Sequence, residues 1–184
     1  MAGLSRLFVA APLTEEARQA LSALIRDRVP DGLPGRPAPP RNWHLTLRFL
    51  GDADAVGSDR VAAALDGADL GGSFSVTWGG MGAFPRPRRA TVLWIGLTAG
   101  AGRLAALAAN VEAASQAAGF SPEDRPFRAH MTLSRIRPDR DVRSLVEEFA
   151  PAAVAMRVDR VALYRSHLGR GGARYEVVEE FPLG

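Results

Sequence analysis

The sequence predicts an α+β fold of two pseudo-symmetric lobes, each an antiparallel sheet with packed helices, separated by a cleft. Three observations carry this. The tetrapeptide H-x-T-L, with an apolar x, occurs twice, as His44-Leu45-Thr46-Leu47 and His130-Met131-Thr132-Leu133, in a chain with only three histidines. The order strand, helix, H-x-T-L strand, helix runs from Leu7 to Leu65 and again from Thr91 to Phe149. Finally, 86 residues separate His44 from His130, the spacing of an internal duplication rather than of a local repeat. A chain of 184 residues suits one bilobal domain spanning 1–184.

Leu7 to Ala11 reads as the first strand. Thr14 caps a helix running to about Val29, with Glu15 and Glu16 at its positive end. Five prolines between Pro30 and Pro40 then enforce an extended loop that delivers the chain into the first H-x-T-L strand. Ser58 to Leu65 reads as a short helix. Phe74 to Trp78 and Thr91 to Leu97 read as strands, separated by the loop Phe84 to Arg89. Leu104, Leu107, Ala108, Val111, Ser115 and Ala118 recur at helical spacing, so Gly102 to Ala118 is an amphipathic helix stopped by Gly119. Pro126-Phe127-Arg128 leads into the second H-x-T-L strand, and a short helix follows near Val142 to Phe149. Val158 to Tyr164 and Arg174 to Phe181 close as a hairpin around Gly169-Arg170-Gly171-Gly172.

Composition narrows the chemistry. All 23 basic residues are arginine, which removes any mechanism that needs a lysine, such as a P-loop or a lysyl-nucleotide intermediate. No cysteine is present, so disulfides, thiolate metal sites and thiol nucleophiles are excluded. A net charge of +3 is too small for wrapping long nucleic acid but leaves room for a local basic surface. The apolar run Leu7 to Leu13 is too short, and too closely followed by acids, for a signal peptide, so a cytoplasmic protein with no membrane association is expected.

Strand periodicity gives the repeated motif its meaning. Residues i and i+2 share a face, so His44 and Thr46 stand side by side above Leu45 and Leu47, and His130 and Thr132 above Met131 and Leu133. Two imidazoles from opposite lobes supply a base for the nucleophile and an acid for the leaving oxygen in a displacement at phosphorus. Threonine hydroxyls and arginine hold the non-bridging oxygens. A catalytic zinc site is under-equipped, because neither motif carries another ligand at a suitable offset, and Asp52 and Asp54 read better as a helix-capping turn. A serine hydrolase lacks its G-x-S-x-G turn. His167 has no threonine partner and is expected on the surface or in the hairpin.

The segments His44-Leu45-Thr46-Leu47-Arg48-Phe49-Leu50-Gly51 and Phe127-Arg128-Ala129-His130-Met131-Thr132-Leu133-Ser134-Arg135 resemble the paired signatures of the two-histidine (2H) phosphoesterase superfamily, above all its bacterial RNA 2',3'-cyclic phosphodiesterase branch, once called 2'-5' RNA ligase. The likeness covers nearly the whole chain, from the proline-rich lead-in to the ending Leu163-Tyr164-Arg165-Ser166 and Tyr175 to Phe181. Ala129 replaces the proline that often precedes the second histidine. The resemblance implies an enzyme acting without metal or cofactor on an RNA or nucleotide with a 2',3'-cyclic phosphate end, opened by water to a 2'-phosphate; a monomer is expected. It implies His44 as general acid and His130 as general base, with Thr46, Thr132 and Arg135 holding the phosphate in an active-site cleft. On a regular strand Arg135 would face away from His130, so a bulge near Ser134 is required; Arg137, Arg128 and Arg125 are the alternatives. Trp43 or Phe49 could stack on a base, although core packing suits either. Two rival readings remain: 2'-5' ligation by the reverse transesterification, and RNA-end binding without turnover by the arginines between Arg125 and Arg143.

Overall fold

The computed structural model describes residues 4–169 and 172–184. In chain order the elements are β1 (Ser5–Pro12), α1 (Glu15–Arg28), β2 (Arg36–Pro37), β3 (His44–Ala53), α2 (Ala55–Asp66), β4 (Phe74–Phe84), β5 (Ala90–Ala99), α3 (Ala101–Ala117), β6 (Met131–Arg140), α4 (Arg143–Glu148), β7 (Ala155–Val158), β8 (Arg160–Gly169) and β9 (Gly172–Pro182). They form two antiparallel sheets, ordered β3-β1-β8-β9 and β2-β6-β5-β4-β7. The duplicated order is realised in three dimensions, since β1 pairs with β3 in one sheet as β5 pairs with β6 in the other.

Local chemistry explains the boundaries. The Thr14 hydroxyl accepts from the Ala17 amide at 3.3 Å and starts α1; an Asp54 carboxylate oxygen accepts from the Gly57 amide at 2.7 Å and starts α2. Leu7 and Val9 of β1, Leu45 of β3, Leu93 and Ile95 of β5, and Met131 and Leu133 of β6 are all buried on the sheets' inner faces. The helices knit the lobes together. α3 packs on α2 and on β3 of the other lobe. The last turn of α1 reaches the end of α4, where Arg28 donates to the Ala150 carbonyl at 2.7 Å and lies over the Phe149 ring.

Three sequence expectations change. The strand expected over Phe74–Trp78 continues to Phe84 through glycines that are there to be small: Gly82 lies opposite Trp94 in register, and a Cβ at Gly82 would stand 2.3 Å from the indole. The strand expected over Val158–Tyr164 is two strands in different sheets, with the chain crossing between them at Asp159. The proline-rich loop contains β2, which adds an edge strand to the second sheet. The hairpin of β8 and β9 forms as expected, while Arg170 and Gly171 of its turn lie outside the described residues.

Arg48 is a charged residue deep in this frame, 7% exposed. It pairs with Glu112 of α3 and, at 3.3 Å, with Glu123, and donates to the carbonyls of Phe49, at 2.5 Å, and of Ser121. Removing one member of such a network strands the others. Because Glu112 and Glu123 keep some solvent, Arg48→Met is expected to cost about 2 kcal/mol. Thermal unfolding followed by circular dichroism should then show a fall in Tm of roughly 4–8 °C for a chain of this size; an unchanged Tm would remove Arg48 from this role.

Candidate active site

His44 opens β3, and the turn before it fixes the ring. A single 3-10 turn over Pro40–Asn42 is closed by the Asn42 and Trp43 amides, and the Trp43 indole N–H donates to the Ala38 carbonyl at 3.0 Å. The Asn42 carbonyl is left to accept from His44 Nδ1 at 2.7 Å. His130 repeats the arrangement: its Nδ1 lies 2.7 Å from the Arg128 carbonyl, again two residues upstream. A carbonyl can only accept, so Nδ1 carries the hydrogen in both rings and Nε2 keeps its lone pair in the neutral form.

Each ring sits in an aromatic cage. Phe8 of β1 lies tilted by 33° against His44 at 4.9 Å between centroids, Tyr175 of β9 meets it edge-on at 5.3 Å, and Tyr164 of β8 closes the cage at 6.2 Å. His130 has Phe84 of β4 edge-on at 5.0 Å and Trp94 of β5 at 6.1 Å. Burial in this cage pushes His44 down to about 4, against the opposing pull of the Asn42 carbonyl, and the charge of His130 depresses it further. Burial also lowers His130; its bond to the Arg128 carbonyl opposes this, and the Arg128 charge adds to the lowering. The two rings are thus near enough to feel each other, and β3 and β6 approach across the cleft.

Each motif is followed by a bulge. Ala10 pairs with Thr46 but Val9 with Arg48; Trp94 pairs with Thr132 but Leu93 with Ser134. One extra residue on β3 and on β6 reverses the alternation, so Leu47 and Arg48 are both buried, as are Leu133 and Ser134. Phe49 and Arg135 therefore join Thr46 and Thr132 on the cleft faces. Both threonines are half-buried, Arg135 is exposed, and its charge bears on Tyr175 of the opposite lobe. Phe49 is 55% exposed, 6.1 Å from Phe8, whereas Trp43 is a core residue.

The remaining candidates lie around this centre. Arg128 lies over Phe84 at 5.8 Å, Arg137 is exposed further along β6, and Arg125 lies 4.0 Å from Glu123. His167 is on β8, half-buried and bonded to Glu176 at 2.6 Å. Among the described residues no three His, Cys, Asp or Glu side chains gather as a metal-holding group, and no helix is long and apolar enough to cross a membrane. Sequence reasoning missed the cages. One available signal was that the chain has only two tyrosines, and both face His44.

Known proteins share both the sequence pattern and the fold. The family model described as LigT-like phosphoesterase matches twice in tandem, over residues 11–94 and 95–175, one match for each half of the duplication. An RNA 2',3'-cyclic phosphodiesterase of Aeropyrum pernix is 36% identical over 167 residues, covering 86% of this chain and 92% of that protein. Its counterpart in Escherichia coli K12 is 30% identical over 179 residues, covering 97% and 96%. The crystal structure of E. coli LigT complexed with 3'-AMP superposes with a TM-score of 0.82 at 27% identity over 98% of each chain. With paired H-x-T strands, matched imidazoles and a family match over both halves, this chain belongs to the LigT-like phosphoesterases of the 2H superfamily.

Proposed function

We propose that this protein is an RNA 2',3'-cyclic phosphodiesterase, hydrolysing RNA or nucleotide 2',3'-cyclic phosphate ends to a 2'-phosphate by metal-independent acid and base catalysis. The observation that carries the reading is the matched pair of Nδ1–H bonds to upstream carbonyls, which leaves an Nε2 on each lobe available for proton transfer. His130 Nε2 takes a proton from water as the water oxygen bonds to phosphorus. The bond from phosphorus to the 3' oxygen breaks, and His44 Nε2 delivers a proton to that oxygen. The phosphate stays on the 2' oxygen, and the pair exchanges its one proton to reset. Thr46 and Thr132 donate to non-bridging oxygens, and Arg135 supplies a bidentate charge clamp where negative charge accumulates. Phe49, solvent-exposed on the same face, offers a stacking surface to the terminal base. The names and the bound nucleotide of its relatives support this substrate class.

The low proton affinity of His44 belongs to the empty cleft. An anionic phosphodiester beside it favours the imidazolium and raises that affinity when substrate binds. Once protonated in this way, His44 is placed to donate to the departing 3' oxygen.

³¹P NMR of a nucleoside 2',3'-cyclic phosphate incubated with the protein in EDTA should show conversion to the 2'-monophosphate. His44→Ala and His130→Ala should each slow it by about 10²- to 10⁴-fold. A metal mechanism is indicated instead if EDTA stops turnover and zinc restores it, and ligation if 5'-hydroxyl fragments are joined. Phe49→Ala should lower kcat/KM roughly tenfold, the scale of one base–aromatic stack. For the pH profile, the active form of the free enzyme holds one proton between two imidazoles whose proton affinities both lie below the ordinary histidine value of 6.5. The bell in kcat/KM should therefore peak on the acid side of pH 6.5, with kcat peaking at higher pH; a peak in kcat/KM above 7 would contradict the cages' effect.

A further inference from the structure

The two-residue strand β2 sets Arg36 directly opposite Arg135. Residues so paired project from the same face with Cβ atoms roughly 4.5–5.5 Å apart, and like charges there repel. Neither guanidinium is relieved by protein. Among the described residues no carboxylate comes within 4.0 Å of Arg36 or Arg135, and the residues outside that set carry none.

The pairing is nevertheless built firmly. Gly35 has a positive φ of 80°, and a Cβ there would fall 2.5 Å from the Arg135 carbonyl oxygen and 2.8 Å from Ile136 Cα, so only glycine lets the segment press against β6. The Ser134 hydroxyl donates to the Pro34 carbonyl, and the Ala38 amide donates to the Leu133 carbonyl at 2.8 Å. Both arginines also face β9. Arg135 bears on Tyr175, beside the His44 cage, while Arg36 Nη2 lies 3.0 Å from where a Cβ of Gly172 would stand, nearer the hairpin tip. Asn42 holds that tip by donating to the Ala173 carbonyl at 2.7 Å.

We propose that Arg36 binds a second phosphate, the phosphodiester that joins the terminal nucleotide of an RNA substrate to the one before it, while Arg135 holds the reacting phosphate. The inference rests on the cyclic-phosphate reading above. Arg36 sits one strand outside Arg135, about 4.8 Å further from the centre of the sheet, at the rim where a polymer must leave the cleft. The reacting phosphate already has two imidazoles, two threonines and Arg135. A second anion at the rim relieves the repulsion that the fold imposes, and it gives the enzyme a preference for RNA ends over free cyclic nucleotides.

The test compares adenosine 2',3'-cyclic phosphate with a diadenylate ending in the same cyclic group. Arg36→Gln, at an exposed position, should raise KM for the dinucleotide about tenfold with kcat unchanged, and leave the mononucleotide within about twofold. The slope of log kcat/KM against log salt for the dinucleotide should fall by about 0.7, one phosphate contact on a single strand, and Arg36→Lys should recover much of the loss. An equal loss on both substrates would place Arg36 at the reacting phosphate, and no loss on either would dismiss it; each overturns the inference. Calorimetric titration with the products, adenosine 2'-phosphate and the diadenylate 2'-phosphate, separates the two claims. If neither cyclic substrate turns over but the wild type binds the dinucleotide more tightly in an Arg36-dependent way, the catalytic reading fails and this one stands. Equal wild-type affinity for both products overturns it.

Discussion

A hydrogen bond spanning two residues, from an imidazole Nδ1–H to the carbonyl just upstream, is the constraint on which the site depends, because it decides which nitrogen carries the proton and where the other one points. It is local, so it comes with the backbone turn that leads into the strand and needs no distant partner. That is why it could be copied whole when the lobe was duplicated. Asn42 and Arg128 supply the carbonyls, and the side chains of these two residues differ while their backbone role is the same. The cages then act on a tautomer already chosen, and set proton affinity rather than orientation.

The two lobes share a frame and diverge in what they hang on it. The register equates Ala10 with Trp94, Arg48 with Ser134 and Phe49 with Arg135. In one lobe the residue after the bulge is aromatic and in the other cationic. Under the proposed function, a symmetric backbone thereby offers two different contacts to a substrate with a flat apolar end and an anionic end. The buried member of each pair diverges as well. Arg48 is tied to acids on α3 and the loop behind it, whereas Ser134 is tied to the segment that carries β2.

Much of this was legible in the sequence because it is local. Alternation within H-x-T-L gave the shared face of each histidine and threonine, Thr14 and Asp54 announced helix starts, and the repeated order gave the lobes. The bulge near Ser134 was deducible from the chemistry asked of Arg135. The same logic applied to Phe49, whose parity places it with Leu45 in the core until the bulge at Leu47 turns it outward; Trp43, with the same parity but before the bulge, stays inside. The cages were not legible, since Phe8, Tyr164 and Tyr175 reach His44 from three strands far apart in the chain. Nor was the change of sheet at Asp159, where the apolar pattern of Val158 and Val161 runs on without a glycine or proline to mark it.

The seven residues from Arg36 to Asn42 have a mechanical consequence. They begin hydrogen-bonded to the strand of one histidine and end at the carbonyl that holds the other, with Ala38 gripping β6 through its amide and Trp43 through its own carbonyl. A strap so short and so anchored at both ends fixes the gauge of the opening. Any widening of the jaws must therefore be taken up within these seven residues or by breaking the bonds at their ends.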